Sequence, residues 1–313
     1  MPKTDEQAPD LSVCIAGVHF RNPVIAASGT FGYGREYEGL LDIACLGGIC
    51  TKGLTLHPRP GNTGPRLYET PSGLLNSIGL ENPGIPAFIE QELPALRALG
   101  PVVIANLSGS SLEEYQEGAR LLSQAPVDLI EINISCPNVR SGGMAFGLDP
   151  GLASSVVRAV RKVLDKPLMV KLSPNAPDLP AVACSCAEAG ADALSLVNTF
   201  QGMAIDIYRR KPVFHHIKAG LSGPGIRPLA LRMVWDLWET VPLPLVGLGG
   251  IACPEDALEF LLAGAVAVQI GSATFAHPPL MPEIIRGIER YMRRFGISRL
   301  ADLSIREPPG QDR

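Results

Sequence analysis

The chain has 313 residues, of which 46% are hydrophobic and 19% are charged, and its formal net charge is -4 at pH 7. This length allows either two domains or one α/β barrel. The slightly negative charge argues against a nucleic-acid-binding protein, and the sequence has no run of about 18 apolar residues that could cross a membrane. We therefore expect a water-soluble protein that acts on a small molecule.

The N-terminal region has neither the apolar segment of a secretory signal nor the arginine-rich pattern of a transit peptide, so we predict a disordered tail over residues 1–10. The next stretch, Leu11–Phe20, contains two short strand-like pieces around Ala16-Gly17. It predicts a β-hairpin that closes the bottom of a barrel.

Short apolar runs of strand length recur along the chain. They are Pro23–Ser28, Gly48–Gly53, Val102–Ser108, Asp128–Cys136, Leu168–Ser173, Ala193–Thr199, Leu243–Gly250 and Ala265–Ala273. Between them lie stretches of helical length and periodicity, which are Leu112–Gln124, Gly151–Leu164, Leu179–Ala189, Pro228–Thr240 and Pro254–Ala263. This alternation predicts an α/β fold, a single (β/α)8 TIM barrel over residues 11–305, rather than a doubly wound sheet. We predict a C-terminal tail over 306–313.

One connection is too long for a plain loop. Arg66–Leu80 follows the second predicted strand and is rich in Gly, Pro and Ser. Long structured connections in compact domains are usually functional, so we predict an inserted active-site loop over the top of the barrel.

The alternation of residues along the fourth run predicts which side chains face inward. Ile130, Ile132 and Ile134 suit the apolar helix layer, whereas Glu131, Asn133 and Ser135 should face the barrel axis. Other polar residues near strand ends are Asn106, Lys171 and Asn198. Barrel active sites form at the carboxyl ends of the strands, and buried polar groups need partners. Several of them at one rim predict a bound ligand.

Glycine-rich turns follow the last two predicted strands. They are Gly247-Leu248-Gly249-Gly250-Ile251 and Ile270-Gly271-Ser272-Ala273, where backbone N–H groups can approach an anion. Such turns are also common as simple tight turns, but barrels often bind phosphate at this position. With Gly223, they predict a site for the phosphate of flavin mononucleotide (FMN). The spacing does not match a Rossmann motif.

The segment from Glu131 to Asn138 places a thiol, Cys136, between the amides of Asn133 and Asn138. Amides both donate and accept hydrogen bonds, which suits a flat heterocycle such as a pyrimidine or a flavin, and the thiol is a candidate proton acceptor. The seven cysteines are odd in number and contain no Cys-x-x-Cys pair. This pattern supports neither disulfides, a metal site nor an iron–sulfur cluster on this chain, and it favours the reducing cytoplasm.

Two motifs carry a family resemblance. Asn76-Ser77-Ile78-Gly79-Leu80-Glu81-Asn82-Pro83-Gly84 and Asn133-Ile134-Ser135-Cys136-Pro137-Asn138 resemble those of the flavin-dependent dihydroorotate dehydrogenases, and the likeness extends from Asn22 to Ser272. Cysteine at position 136 resembles class 1 of that family. The segment Val139–Gly147 is similar to class 1B, whose catalytic subunit works with a second chain that carries FAD and a [2Fe-2S] cluster and reduces NAD+.

The resemblance implies oxidation of (S)-dihydroorotate to orotate in the synthesis of UMP. Cys136 would take the C5 proton while N5 of FMN takes the C6 hydride, and Ser141–Gly147 would form a lid. The implied substrate-binding residues are Lys52, Asn76, Ser77, Ile78, Gly79, Leu80, Asn133, Asn138, Asn198 and Thr199. The implied FMN-binding residues are Ser28, Lys52, Gly53, Asn106, Asn133, Lys171, Val197, Gly223, Gly249, Gly250, Gly271 and Ser272.

Within these sets, Lys52 would face the substrate carboxylate and Lys171 would stabilise the anionic reduced flavin. The resemblance also implies one FMN per chain, and a homodimer of this chain within a heterotetramer that includes the FAD and iron–sulfur subunit. Three alternatives remain open on the sequence: a fumarate-dependent class 1A enzyme, a dihydropyrimidine dehydrogenase-like enzyme, and a non-catalytic barrel that binds FMN or phosphate.

Overall fold

The structure is a computed structural model that describes residues 8–135 and 146–303. Its strands, in chain order, are β1 (Val13–Ile15), β2 (Val18–Phe20), β3 (Val24–Ala26), β4 (Gly48–Cys50), β5 (Leu67–Thr70), β6 (Gly73–Asn76), β7 (Val102–Leu107), β8 (Leu129–Asn133), β9 (Leu168–Lys171), β10 (Ala193–Leu196), β11 (Phe200–Met203), β12 (Ile205–Asp206), β13 (Lys211–Pro212), β14 (Lys218–Ser222), β15 (Leu245–Leu248) and β16 (Ala267–Ile270).

Eight of these strands form a closed parallel barrel in the order β3-β4-β7-β8-β9-β10-β15-β16, and β16 pairs with β3 to complete it. Each predicted apolar run contains one barrel strand, so the predicted (β/α)8 TIM barrel is confirmed. The strands are shorter than the runs. Asp128–Cys136, for example, contains β8 over Leu129–Asn133 only, because Ile134 and Ser135 already lie beyond the end of the strand.

Helices surround the barrel. They are α1 (Ile85–Ala87), α2 (Leu93–Ala98), α3 (Leu112–Gln124), α4 (Pro150–Arg161), α5 (Leu179–Glu188), α6 (Arg227–Trp238), α7 (Pro254–Leu262), α8 (Ala273–Ala276) and α9 (Leu280–Phe295). Side chains cap several starts: Ser111 accepts from the N–H of Glu114, and Asp149 accepts from that of Leu152. Helices α3 to α7 match the five predicted stretches. The helical region from α1 to α2 and helix α9 were not predicted.

The barrel separates two kinds of interior. Ile130, Ile132 and Ile134 belong to the large apolar core between strands and helices, whereas Glu131 points into the barrel. The predicted alternation in β8 is therefore confirmed. It follows from the twofold repeat of a strand, which sends successive side chains to opposite faces.

The N-terminal hairpin closes the amino end of the barrel. Strands β1 and β2 pair across a turn at Ala16 and Gly17, which both have positive φ (51° and 82°), as a two-residue hairpin turn requires. Ile15 and Phe20 pack against a buried ring with one residue from each barrel strand: Ile25, Cys50, Ile104, Leu129, Met169, Ala193, Val246 and Ala267. The predicted hairpin and its position are confirmed.

A second sheet lies on the carboxyl side. Strands β5 and β6 form a hairpin that continues through β14 to β11 in a four-stranded antiparallel sheet. The predicted insertion over Arg66–Leu80 is present, and it contains the hairpin of β5 and β6. The strand β5 is largely exposed and lacks a clear apolar alternation; it pairs with β6, which pairs in turn with β14, far along the chain.

No helix among the described residues is both long and apolar enough to cross a membrane.

Candidate active site

A buried carboxylate lies inside the barrel. Glu131 is 0% exposed, and both of its oxygens accept hydrogen bonds. The Oε1 atom accepts from Asn106 Nδ2 at 2.6 Å and from Cys50 Sγ at 3.2 Å. The Oε2 atom accepts from Ser195 Oγ at 2.7 Å and from Gln269 Nε2 at 2.7 Å. One side chain on β8 thus connects β4, β7, β10 and β16 across the barrel.

A single cation accompanies this carboxylate. Lys171, at the end of β9, is 5% exposed, and its Nζ lies 3.9 Å from Glu131 Oε1. That distance permits charge attraction but is too long for a hydrogen bond. Within residues 8–135 and 146–303, Lys171 Nζ makes no hydrogen bond. Its N–H groups are therefore available to a ligand at the barrel mouth.

The pKa values of two buried acids, Glu131 and Cys50, shift in opposite directions. Burial alone would raise the pKa of Glu131, but the charge of Lys171 and the hydrogen bonds from Ser195, Gln269 and Cys50 together lower it below its usual value. Burial, and then the neighbouring Glu131 charge, raise the pKa of the Cys50 thiol well above its usual value. At neutral pH the site therefore holds an ionised Glu131 and a protonated Cys50.

Asn106 presents an unused acceptor at the mouth. Its Nδ2 donates to Glu131, while its Oδ1 is buried and has no hydrogen-bond partner among the described residues, and the same is true of Ser108 Oγ. A β-carbon placed on Gly53 would lie 3.2 Å from Asn106 Oδ1, 3.7 Å from Ser108 Oγ and 3.2 Å from Leu80 Cδ2. Gly53 therefore keeps open a polar pocket whose buried oxygens need a donor.

The asparagines at the ends of β8 and β10 contact each other. Asn133 Oδ1 accepts from Asn198 Nδ2 at 3.2 Å and from the N–H of Ser135 at 3.2 Å. Asn198 Oδ1 accepts from the N–H of Thr199 at 2.8 Å, and Ser135 Oγ donates to the carbonyl of Lys171 at 3.0 Å. Four of the residues assigned to the site by resemblance are therefore neighbours at one rim.

The segment after β6 reaches the same mouth through Leu80, which neighbours Gly53. Asn76 Nδ2 donates to the carbonyl of Gly220 at 3.2 Å. Asn62 binds this segment from outside: its N–H donates to the carbonyl of Ile78 at 2.8 Å, and its Nδ2 donates to Ser77 Oγ at 3.0 Å.

In the same segment, the backbone carbonyl groups and the backbone N–H groups differ in whether they have hydrogen-bond partners. The carbonyl of Leu80 accepts from Asn82 Nδ2 at 2.7 Å, and Gly79 and Leu80 both have positive φ (80° and 56°). The N–H groups of Gly79 and Leu80 have no acceptor in the described part of the chain. Of the backbone groups predicted to serve a ligand here, the donors are free and the carbonyls of Ile78 and Leu80 are occupied.

Lys52, which follows β4, is the second lysine that the resemblance assigns to the site. It is half-buried and lines a cavity of about 420 Å³ between the loop after β3 and helix α8, together with Thr30, Glu36 and Thr274. No ion pair and no side-chain hydrogen bond of Lys52 occur within the described ranges. Its charge is therefore free, and no hydrogen bond joins its side chain to Asn133 or Asn198 within the described part of the chain.

The glycine turns lie on adjacent strands, β15 and β16. Gly249 and Gly250 have φ of 127° and 78°, and a β-carbon on Gly250 would lie 2.8 Å from the carbonyl oxygen of Gly223. The Gly223 and Gly250 loops are thus in contact. The backbone N–H groups of Gly249, Gly250 and Ser272 have no acceptor among residues 8–135 and 146–303. Unpaired N–H groups without obstructing side chains suit an anion such as phosphate.

The remaining predicted residues are less informative. The N–H of Ser28 contacts Cys50 Sγ, and Val197 is buried, with its N–H donating to the carbonyl of Leu248 at 2.8 Å. A β-carbon on Gly271 would have Ala27 as its nearest neighbour, 3.7 Å away. Cys136, Asn138 and most of the predicted lid, residues 141–145, lie outside the described residues. So do residues 1–7 of the predicted N-terminal tail, residues 304–305 of the predicted barrel and the whole predicted C-terminal tail, 306–313.

Three residues of this network were not among the predicted site residues: Cys50, Ser195 and Gln269. Each is a lone polar residue or thiol in an apolar barrel strand, at a position that faces inward. The inward parity that identified Glu131 could have identified them too. It was applied to β8 alone.

Comparisons with known proteins identify the family. The family model described as dihydroorotate dehydrogenase matches residues 10–292. A protein of Petrotoga mobilis named "Dihydroorotate dehydrogenase B (NAD(+)), catalytic subunit" is 55% identical over 94% of this chain and 98% of its own length. Proteins of the same name from Citrifermentans bemidjiense and Geobacter sulfurreducens are 56% and 52% identical, over 91% and 95% of this chain and 94% and 98% of their own lengths. This chain belongs to the dihydroorotate dehydrogenase family.

Proposed function

We propose that this chain oxidises (S)-dihydroorotate to orotate in pyrimidine synthesis, as the NAD+-linked type B catalytic subunit for which its relatives are named. The observation that carries the proposal is the group formed by Asn133, Asn198 and Lys171 at the carboxyl end of a closed barrel. Amides that donate and accept, next to a buried ammonium, suit a flat ring with carbonyl and N–H groups.

The residues at the mouth fit a flavin, and we take FMN as the one bound. Asn106 Oδ1 is a buried acceptor without a partner, and it can accept from a ring N–H. Lys171 can place positive charge beside the ring, and the free N–H groups at Gly249, Gly250 and Ser272 can hold the phosphate. When bound, the flavin supplies the two-electron acceptor for the reaction.

The chain itself supplies binding and proton transfer in this proposal. Asn133 and Asn198 fix the orientation of the substrate ring, and Asn76, with the N–H groups of Gly79 and Leu80, extends the contact surface. Lys52 provides a free charge for the substrate carboxylate. Cys136, which directly follows Ser135 in the sequence, takes the C5 proton. Asn138, Ser77, Ile78 and Thr199 complete the proposed substrate site.

We further propose that electrons leave through a partner subunit with FAD and a [2Fe-2S] cluster, and that two copies of this chain form the centre of a heterotetramer in the cytoplasm. The words "catalytic subunit" in the relatives' name support a partner. Apolar side chains on the segment from β11 to β14 are 49–92% exposed and support assembly through that segment; they are Met203, Ile205, Ile207, Tyr208 and Ile217. Co-expression with a candidate partner, followed by measurement of complex mass, tests this part.

An anaerobic titration tests the activity. The purified protein, loaded with FMN, should lose its yellow absorbance when dihydroorotate is added and retain it with dihydrouracil, which lacks the carboxylate. The Cys136→Ala variant should bind orotate but reduce its flavin far more slowly at neutral pH, because no base removes the C5 proton. Bleaching by dihydrouracil alone would refute dihydroorotate as the substrate. Unchanged reduction in Cys136→Ala would remove Cys136 from the base role.

A further inference from the structure

The Glu131–Lys171 pair is unusual within this molecule. Among the described residues, Glu131 is the only buried carboxylate and Lys171 is the only buried cation. Burying two charges is unfavourable unless hydrogen bonds and attraction offset the loss of hydration, and an apolar pair of similar size often serves stability equally well. The pair therefore calls for a role beyond holding the strands together.

The contacts of Glu131 constrain the amides around it. An ionised carboxylate only accepts hydrogen bonds, so Asn106 and Gln269 must both turn their NH2 groups toward it. The carbonyl oxygens of the same amides, Asn106 Oδ1 and Gln269 Oε1, are then left buried and unpaired. A neutral residue at position 131 would allow either amide to rotate by half a turn. Glu131 thus fixes Asn106 as an acceptor at the pocket beside Gly53.

The charge of Glu131 also acts on Lys171. The separation of 3.9 Å between Glu131 Oε1 and Lys171 Nζ leaves the ammonium free to donate elsewhere, while the carboxylate still offsets much of its positive field. A ligand at the mouth therefore meets a paired ammonium rather than an isolated charge. Weakening the pair would increase the positive potential at that position and would favour any ligand form that carries extra negative charge.

We propose that Glu131 is a positioning residue that lowers the reduction potential of the bound flavin by offsetting the charge of Lys171 and that orients Asn106 toward the flavin ring. This inference rests on the proposed function, since it needs a flavin at the barrel mouth. A moderated potential suits a subunit that must pass its electrons on to a further acceptor rather than retain them in the reduced flavin.

The test compares four FMN-loaded proteins: wild type, Glu131→Gln, Glu131→Asp and Ser195→Ala. The measurement is the two-electron midpoint potential of the flavin, determined with an enzymatic reductant and a reference dye and without dihydroorotate. Glu131→Gln removes the charge, and we expect the ratio of reduced to oxidised flavin to rise at least tenfold, an upward shift of about 30 mV for a two-electron couple. Glu131→Asp withdraws the carboxylate by one methylene, so a shift of at least threefold in the same direction is expected.

Ser195→Ala is the matched control. It removes the 2.7 Å hydrogen bond to Glu131 Oε2 but keeps the carboxylate, Asn106 and Lys171. We expect the apoprotein to lose stability in thermal unfolding, while the ratio of reduced to oxidised flavin stays within a factor of two of the wild-type ratio. A potential that follows stability in all variants would overturn the proposal, because it would show a merely structural role.

Failure of a variant to fold, or of the wild type to bind or reduce FMN, also gives a defined result. If Glu131→Gln does not fold, Glu131→Asp carries the test alone, and a wild-type potential in that variant overturns the proposal. A wild type that binds FMN but is not reduced by dihydroorotate would refute the proposed activity and leave the potentials measurable. A wild type that does not bind FMN would refute both proposals.

Discussion

Replacing Gly250 by alanine should weaken both the fold and the binding of FMN. Gly250 has a φ of 78°, which disfavours a side chain by about 1–2 kcal/mol. Its β-carbon would also lie 2.8 Å from the carbonyl oxygen of Gly223 and 2.8 Å from the backbone nitrogen of Arg227. Backbone atoms cannot move aside as a flexible side chain can, so overpacking adds about 1–3 kcal/mol. The expected loss of stability is about 2–5 kcal/mol.

A matched control separates the backbone effect from the steric one. Gly296, at the end of α9, has a φ of 66°, and a β-carbon there would have no neighbour within 4 Å. Gly296→Ala should therefore lose only the backbone part, about 1–2 kcal/mol. At about 2 °C per kcal/mol for a chain of this size, the melting temperature of the apoprotein should fall by about 4–10 °C for Gly250→Ala and about 2–4 °C for Gly296→Ala.

The flavin measurement is the more decisive of the two. If Gly250 helps to bind phosphate, displacing its N–H removes one hydrogen bond to a charged group, about 1.5–3 kcal/mol, which corresponds to a rise in Kd of about 10- to 150-fold. Titration of each apoprotein with FMN, monitored by the quenching of flavin fluorescence, gives the Kd of FMN for both variants. Gly296→Ala should bind as wild type. Equal FMN affinity in the two variants would refute the phosphate site at this turn.

Three further predictions follow from the site. Lys52→Gln should raise the Kd of orotate about tenfold, as expected for the loss of a hydrogen bond to a charged group. The Kd of uracil and the melting temperature should stay near those of wild type. An equal loss of affinity for orotate and uracil would contradict the role of Lys52 in binding the carboxylate. Asn198→Ala should raise the KM for dihydroorotate about tenfold with a stability change within about 1 kcal/mol, because Asn133 Oδ1 loses one of its two donors; an unchanged KM would exclude Asn198 from the substrate site. Because the folded-state pKa of Glu131 lies below the usual 4.5, its ionisation stabilises the fold above pH 4.5 and this contribution is lost as the pH falls further. Urea unfolding from about pH 3 to 7 should therefore show a flatter acid limb for Glu131→Gln, and parallel curves for both proteins would disprove this linkage.

The barrel was predictable because its strands are buried on both faces. Such strands read as short apolar runs, and Leu168–Lys171 and Ala267–Ile270 are buried at every position. The hairpin was predictable from Ala16-Gly17, where the turn needs positive φ. The two glycine turns were recognisable because the phosphate position in barrels follows the last two strands.

The strands within the inserted segment could not be predicted from local sequence. In β5, Leu67 and Tyr68 are exposed, and the strand exists because β6 connects it to β14, with Asn76 facing Gly220. No apolar repeat signals such a strand, because β5 is an edge strand whose hairpin partner β6 is held in the sheet by the distant β14. The interior network had a similar difficulty. The parity of Gln269 in the run that forms β16 indicates an inward side chain, but its partner Glu131, 2.7 Å away, becomes its neighbour only when the barrel closes.

The two ends of the barrel explain why the interior charges matter. The hairpin seals the amino end with Ile15 and Phe20 against an apolar ring, so the buried groups above it meet no water from below. Electrostatic interactions strengthen where water is excluded, so the charge of Glu131 acts on Lys171 more strongly than the same pair would at the surface. The carboxyl end carries the unpaired acceptors and the free ammonium. A planar ligand that covers the mouth would complete the enclosure, and its own charge would then be felt by the Glu131–Lys171 pair. The redox state of the ligand and the charges of Glu131 and Lys171 therefore influence each other because they lie close together, whichever acceptor receives the electrons.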